Sequence, residues 1–187
     1  ALMMLFQFHP LVGQKYYSKA GHVRFVSDAP LEKIEATNNS ALIVLDGTTG
    51  RMDLSVLIKG FQFEKALMQD HFNENYMESH LYPKGSFSGT ILNMKEINFG
   101  KDGTYPVRVQ GTLTLHGVTK AMTASGQINV KAGKIYATST FDITIADFDI
   151  DIPKVVKDNI SKTVRVTVSA EPVSYTHLQA NETVLDL

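Results

Sequence analysis

The chain contains no cysteine. That single absence excludes disulfides, thiolate nucleophiles, cysteine-bearing zinc sites and iron–sulfur clusters. It is also nearly without net charge: a formal −1 over 187 residues leaves no global field that would recruit nucleic acid, and no nucleic-acid partner is expected. Glycine-rich phosphate loops are missing, since neither GxGxxG nor GxxxxGK occurs. The histidines His22, His71, His80, His116 and His177 form no H-x-H or HExxH pair, so no zinc signature is present. "GSFSG", Gly85 to Gly89, carries Phe87 where a nucleophile elbow needs serine. "DFDID", Asp147 to Asp151, imitates the start of a calcium loop, but Ile152 stands where that loop requires glycine and Asp158 where it requires a bidentate glutamate. With these chemistries removed, the expectation is a protein that is not an enzyme and carries no metal or cofactor.

Long apolar runs are lacking too. The one at the start, Ala1 to Phe8, is too short to span a bilayer. Followed by Pro10 and Gly13, it resembles the apolar and cleavage regions of a secretory signal peptide, with a terminal strand or extension as the alternative. Residues 1–14 are therefore read as a signal-peptide remnant, 15–173 as one domain, and the protein as periplasmic or secreted. From Ser174 to Leu187 the preceding pattern stops, and the segment "SYTHLQANETVLDL" is either a native polar tail or translated sequencing-adapter read-through.

What the sequence does have is period-two alternation, which sends successive side chains to opposite faces of a sheet. Val107, Val109, Leu113 and Leu115 share one face; Met122, Ala124, Ile128 and Val130 repeat it, as do Ile135, Ala137, Phe141, Ile143 and Ile145, and then Val164, Val166 and Val168. Earlier strands begin near His22, Ser40, Arg51 and Gly85, giving about eight. "DGTTG", "GKDGTYP" and "KAGK" carry hairpin turn chemistry. Two segments read as helices. Glu64 to His80 is amphipathic, with Met68, Phe72 and Tyr76 on one stripe. Asp151 to Ser161 forms a shorter helix, with Pro153 in its first turn.

One face of each late strand is polar and rich in threonine, so the sheet is exposed on one side; closing it into a barrel removes its open edges, and a two-layer sandwich is the rival arrangement. The predicted class is all-β: an eight-stranded antiparallel barrel with one amphipathic helix and a short second one. Gly89, Gly111, Ala124, Gly126, Ala137 and Ser139 share the apolar face. A filled core favours larger residues at so many positions, which points to an internal cavity.

Three blocks, "GTLTLHGVTK", "ALMQDHFNENYMESHLYPKGSFSG" and "FDITIADFDIDIPKVVKDNISKTVRVTV", resemble the YceI-like family of lipocalin-like, polyisoprenoid-binding bacterial exported proteins. The resemblance implies a barrel with an apolar tunnel holding a polyisoprenoid, isoprenoid quinone or fatty-acid-like chain. Carried over by strand face, the lining is Val23, Phe25, Leu54, Val56, Phe87, Ile91, Val109, Leu113, Met122, Ala124, Ile128, Phe141, Ile143 and Val166, with Met68, Phe72 and Tyr76 over one mouth. The expected partner is an apolar lipid, and a homodimer stays open. His116, in the "HGVT" turn, reads as shaping the backbone before contacting a ligand. Two other functions are carried alongside: a barrel enzyme acting on a lipid, which needs a polar pair facing inward, and a solid barrel whose outer surface binds a partner.

Overall fold

A computed structural model describes residues 15–174. Eight antiparallel strands close on themselves: β1 (Lys15–Asp28), β2 (Lys33–Asp46), β3 (Arg51–Leu57), β5 (Lys84–Ile91), β6 (Gly103–Leu115), β7 (Val118–Lys131), β8 (Lys134–Thr144) and β9 (Thr163–Ala170), with β9 pairing back onto β1. The sandwich alternative is thereby set aside. Two short strands extend the sheet, β4 (Gln62–Phe63) beside β2 and β10 (Val173–Ser174) beside β1. Ser174, the first residue assigned to the tail, thus sits in the sheet opposite Tyr16. Residues 1–14 and the rest of the tail lie outside the described residues.

The hairpins follow from turn chemistry. His116 and Gly117 between β6 and β7, and Ala132 and Gly133 between β7 and β8, all have positive φ, the two-residue turn whose twist matches that of the strands it joins. Between β2 and β3, the Asp46 carboxylate accepts from the backbone N–H groups of Thr48 and Thr49, both at 2.9 Å. "GKDGTYP" does not form a hairpin turn of its own. Tyr105 and Pro106 lie inside β6, and the Asp102 carboxylate instead accepts from Ala132 N–H at 3.1 Å, holding the β7–β8 turn.

β1 and β2 are much longer than the alternation indicated. In β1 the buried residues are Tyr16 and Ser18, then Gly21, Val23 and Ser27; a bulge between the two sets shifts the phase by one. In β2 the buried set runs Ala36 and Asn38, then Ala41, Ile43 and Leu45. Asn38 is fully buried yet satisfied: its amide donates to the Leu57 carbonyl at 2.9 Å and accepts from Ser40 N–H at 2.9 Å.

The amphipathic segment is not one helix. It is α1 (Ala66–His71) followed by a widened, π-helical turn (Phe72–Tyr76). Asn73 accounts for the change. Its side-chain amide donates to the Gln69 carbonyl at 2.9 Å, while its own carbonyl accepts from Ser79 N–H at 2.8 Å, and these bonds compete with a continuing helix. The second helix reduces to a single 3-10 turn, Lys154–Val156, and Pro153 sits at its cap.

The interior is unequal along the barrel axis. The end bearing the 46–50, 92–102 and 132–133 turns is solid, packed by Tyr16, Leu45, Ile91, Val107, Ile128, Val130 and Ile135, with Phe99 against Tyr16 at 4.8 Å between ring centroids. The opposite end receives α1, the π-helical turn, the "HGVT" turn and residues 145–162.

Candidate functional site

Above that solid end the barrel encloses an apolar cavity of about 400 Å³, within the roughly 300–1,000 Å³ common for small-molecule sites. Residues on all eight barrel strands, Ile34 on β2 among them, form its wall. Val23, Phe25, Leu54, Val56, Met68, Phe72, Tyr76, Phe87, Val109, Leu113, Met122, Phe141, Ile143 and Val166 all border it, as the sequence placed them. Ile91, Ala124 and Ile128 do not. Ile91 and Ile128 are almost fully buried in the solid end and form its floor, and Ala124 lies opposite Val109 but off the lining.

The small residues play a different part from the one expected of them. Gly89 and Gly111 face each other across β5 and β6. A Cβ on Gly111 would stand 2.2 Å from the Ser88 carbonyl oxygen and 2.7 Å from Phe87 Cζ; one on Gly89 would stand 2.6 Å from both the Gln110 oxygen and Phe87 Cζ. The Phe87 ring therefore lies across the two glycines and fills the space they leave. Gly126 is pressed in the same way, its Cβ position 2.5 Å from the Thr138 carbonyl oxygen. These glycines permit close strand and ring approach, and the open volume lies nearer the helical end.

Four phenylalanines organise that end. Phe25 stacks on Phe72 at 5.4 Å between ring centroids, and Phe61 and Phe63 pack on both at 5.0–5.8 Å. Each such pair adds roughly 0.5–1.5 kcal/mol beyond the area it buries, so the cluster ties α1 and the π-helical turn to the barrel rim. Phe61 and Phe63 were missed as site residues. Their period-two spacing in "GFQFE" was the available signal, obscured by the adjoining helical pattern. Ile58, Ile145, Ile150, Ile160 and Val164 complete this part of the wall.

The polar side chains at the cavity are Ser27, Glu32, His71, Tyr76, Ser86, Ser139 and Asn159. The Glu32 carboxylate at the rim accepts from Lys65 Nζ and Asn159 Nδ2, both at 3.4 Å. Ser27 Oγ accepts from Ser161 N–H at 2.8 Å, and Ser139 Oγ donates to the Ser125 carbonyl at 2.8 Å. Burial pushes the Tyr76 phenol above its ordinary range, which keeps it neutral. No group of three His, Asp or Glu side chains gathers among the described residues. His116 is absent from the lining. It sits at φ 50° with Nδ1 donating to the Phe148 carbonyl and Nε2 facing a Glu78 carboxylate oxygen, each at 3.0 Å, and Tyr82 meets its ring edge-on. It locks the β6–β7 turn to two neighbouring segments.

Residues 18–172 match the family described as YceI-like domain. No curated protein matches the sequence. Among solved structures, a polyisoprenoid binding domain from Saccharophagus degradans, implicated in plant cell wall breakdown, superposes with a TM-score of 0.74 at 15% identity, covering 87% of this chain and 99% of its own. BcnA from Burkholderia cenocepacia superposes with a TM-score of 0.66 at 15% identity, covering 82% and 96% respectively. At such identity these structures share the fold.

Proposed function

This chain belongs to the YceI-like family, and from that premise and the shape of its cavity we propose that it is a non-enzymatic binder of a long apolar chain, a polyisoprenoid or a comparable lipid. The observation that carries the reading is the apolar pocket itself, walled by aliphatic and aromatic side chains, floored by a solid core and capped by a helical segment. Burial at roughly 0.8 kcal/mol per methylene supplies affinity without any reacting group. The cavity argues against a solid barrel that works through its outer surface alone. The description of the Saccharophagus domain as polyisoprenoid-binding lends the same support.

Native mass spectrometry of protein purified gently from a bacterial host tests the proposal. A co-purified lipid of long chain is expected, and Met122→Trp, which projects a large ring from the half-buried inner face of β7 into the cavity, should reduce its occupancy in folded protein. Protein that is repeatedly empty, or lipid retention unaltered by Met122→Trp, would refute it.

A further inference from the structure

The barrel wall is forked. β7 and β8 pair from Lys131↔Lys134 back to Gly126↔Ser139 and no further, although β7 continues to Val118 and β8 to Thr144. Over the missing stretch their outer neighbours stay paired, β6 with β7 to Leu115↔Val118 and β9 with β8 to Thr144↔Thr163. The two strands therefore diverge as intact halves of the wall. At the point of divergence, Ser139 Oγ bonds the Ser125 carbonyl, a side chain standing in where the backbone ladder stops. At the far side, the 3-10 turn Ile145–Phe148 closes the fork, held by the bond from His116 to Phe148. Inner-face residues along it, Met122 and Ala124 on β7 and Phe141 and Ile143 on β8, are only half-buried, whereas Ile128 and Val130 beside the paired stretch are 3% and 2% exposed. The result is a lateral opening into the cavity, edged by strand N–H and C=O groups that lack a ladder partner.

Lys120 stands at the far end of this opening, toward the Ile145–Phe148 turn. Its cross-strand partner is Leu113, and cross-strand partners share a face, so its stem starts on the inner side between Leu113 and Met122, both of which border the cavity. Yet Lys120 is exposed, and it has no hydrogen bond or ion pair with the described residues. Lys120 is not itself among the residues that line the cavity; a lysine that starts on the inner face and ends in water can pass through the gap with its methylenes along the apolar edge. Carboxylates of the surrounding segments do not pair with it: Asp142 is held by Arg165 at 3.0 Å, Glu78 faces His116, and Asp147 makes no ion pair with the described residues.

We propose that the fork between β7 and β8 is a head-group port, in which Lys120 receives the anionic end of a single-chain lipid, a carboxylate or a phosphate monoester, while the chain lies in the cavity. This rests on the apolar-chain reading above and adds the class of head group. An unpaired cation and strand N–H donors without a ladder partner at the edge of an apolar cavity suit an acid better than an alcohol of the same chain.

The test compares matched pairs on delipidated full-length protein: palmitate against hexadecanol, and farnesyl phosphate against farnesol, by calorimetric titration at low salt. The wild type should prefer each acid over its alcohol by about three- to fivefold, the size of an exposed ion pair. Lys120→Met keeps the apolar stem and should abolish the preference while leaving the affinity for both alcohols unchanged. Lys101→Met, on an exposed loop at the solid end, should leave the preference intact. Preference in one pair alone supports the port and names the head group as carboxylate or phosphate. Alcohols bound with no preference in the wild type, or a preference that survives Lys120→Met, would overturn the port alone. Failure of all four ligands to bind would overturn the apolar-chain reading and the port with it.

Discussion

Gly111→Ala should be far more damaging than a single methyl group suggests. If small inward residues simply left space, an added methyl would enter that space and cost nothing. The geometry gives the opposite outcome: the new Cβ would sit 2.2 Å from the Ser88 carbonyl oxygen, 2.6 Å from Gly89 Cα and 2.7 Å from Phe87 Cζ. Two of those three atoms are backbone, and strand β5 is held in register on both sides by β3 and β6. Relief therefore requires separating paired strands, which places the cost at the upper end of the overpacking range, about 3 kcal/mol. For a domain of this size that corresponds to a fall in melting temperature of about 6–12 °C. Gly100→Ala is the control. Its Cβ would meet only Asn98 Oδ1 at 3.4 Å, with no positive φ to strain, so it should be neutral or slightly stabilising. Thermal melts followed by far-ultraviolet circular dichroism decide the matter. A Gly111→Ala protein melting within about 2 °C of wild type would refute the close-approach reasoning and restore these glycines as providers of empty volume.

Two further outcomes follow from polar contacts. His116→Asn retains a residue that tolerates the left-handed backbone but removes the ring, stranding the buried Phe148 carbonyl. The expected cost is about 2–3 kcal/mol, read by calorimetry as a melting temperature about 4–12 °C lower; an unchanged melt would mean the ring contributes no net stabilisation. The Asp46 carboxyl is held below its ordinary range by the backbone N–H groups of Thr49 and Thr48. A depressed carboxyl stabilises the fold above its unfolded value and ceases to do so as pH falls through the folded one. Asp46→Ala should therefore melt lower than wild type at pH 7, with the difference shrinking below about pH 4, where the unfolded-state carboxyl takes its proton. A difference that stays constant from pH 7 to pH 2 would show that the turn gains nothing from the charge.

How legible the fold was depended on whether the pattern stayed in phase. β6, β7 and β8 alternate strictly, and their faces and turns were readable from residue order. β1 and β2 were read only in part because each carries a buried polar residue, Ser18 or Asn38, next to a change of phase. An alternation template rejects both the polar inward residue and the slipped register. The helix was overextended because Met68, Phe72 and Tyr76 do share a stripe, while Asn73 diverts backbone bonds in a way that spacing does not record.

The candidate site divides along the same line. Which side chains face inward is a local property of each strand, since successive residues point to opposite sides wherever the strand ends up. The sequence by itself therefore determined most of the cavity wall, from Val23 to Val166, and the barrel class. Whether an inward residue meets a cavity or a neighbour depends on contacts between strands far apart in the chain. Only the tertiary structure decided that Ile91 and Ile128 form a floor, that Phe87 covers Gly89 and Gly111, that Phe61 and Phe63 join the rim, and that β7 parts from β8 beside Lys120. Empty space in a protein is what packing leaves over, and packing is settled by all eight strands at once.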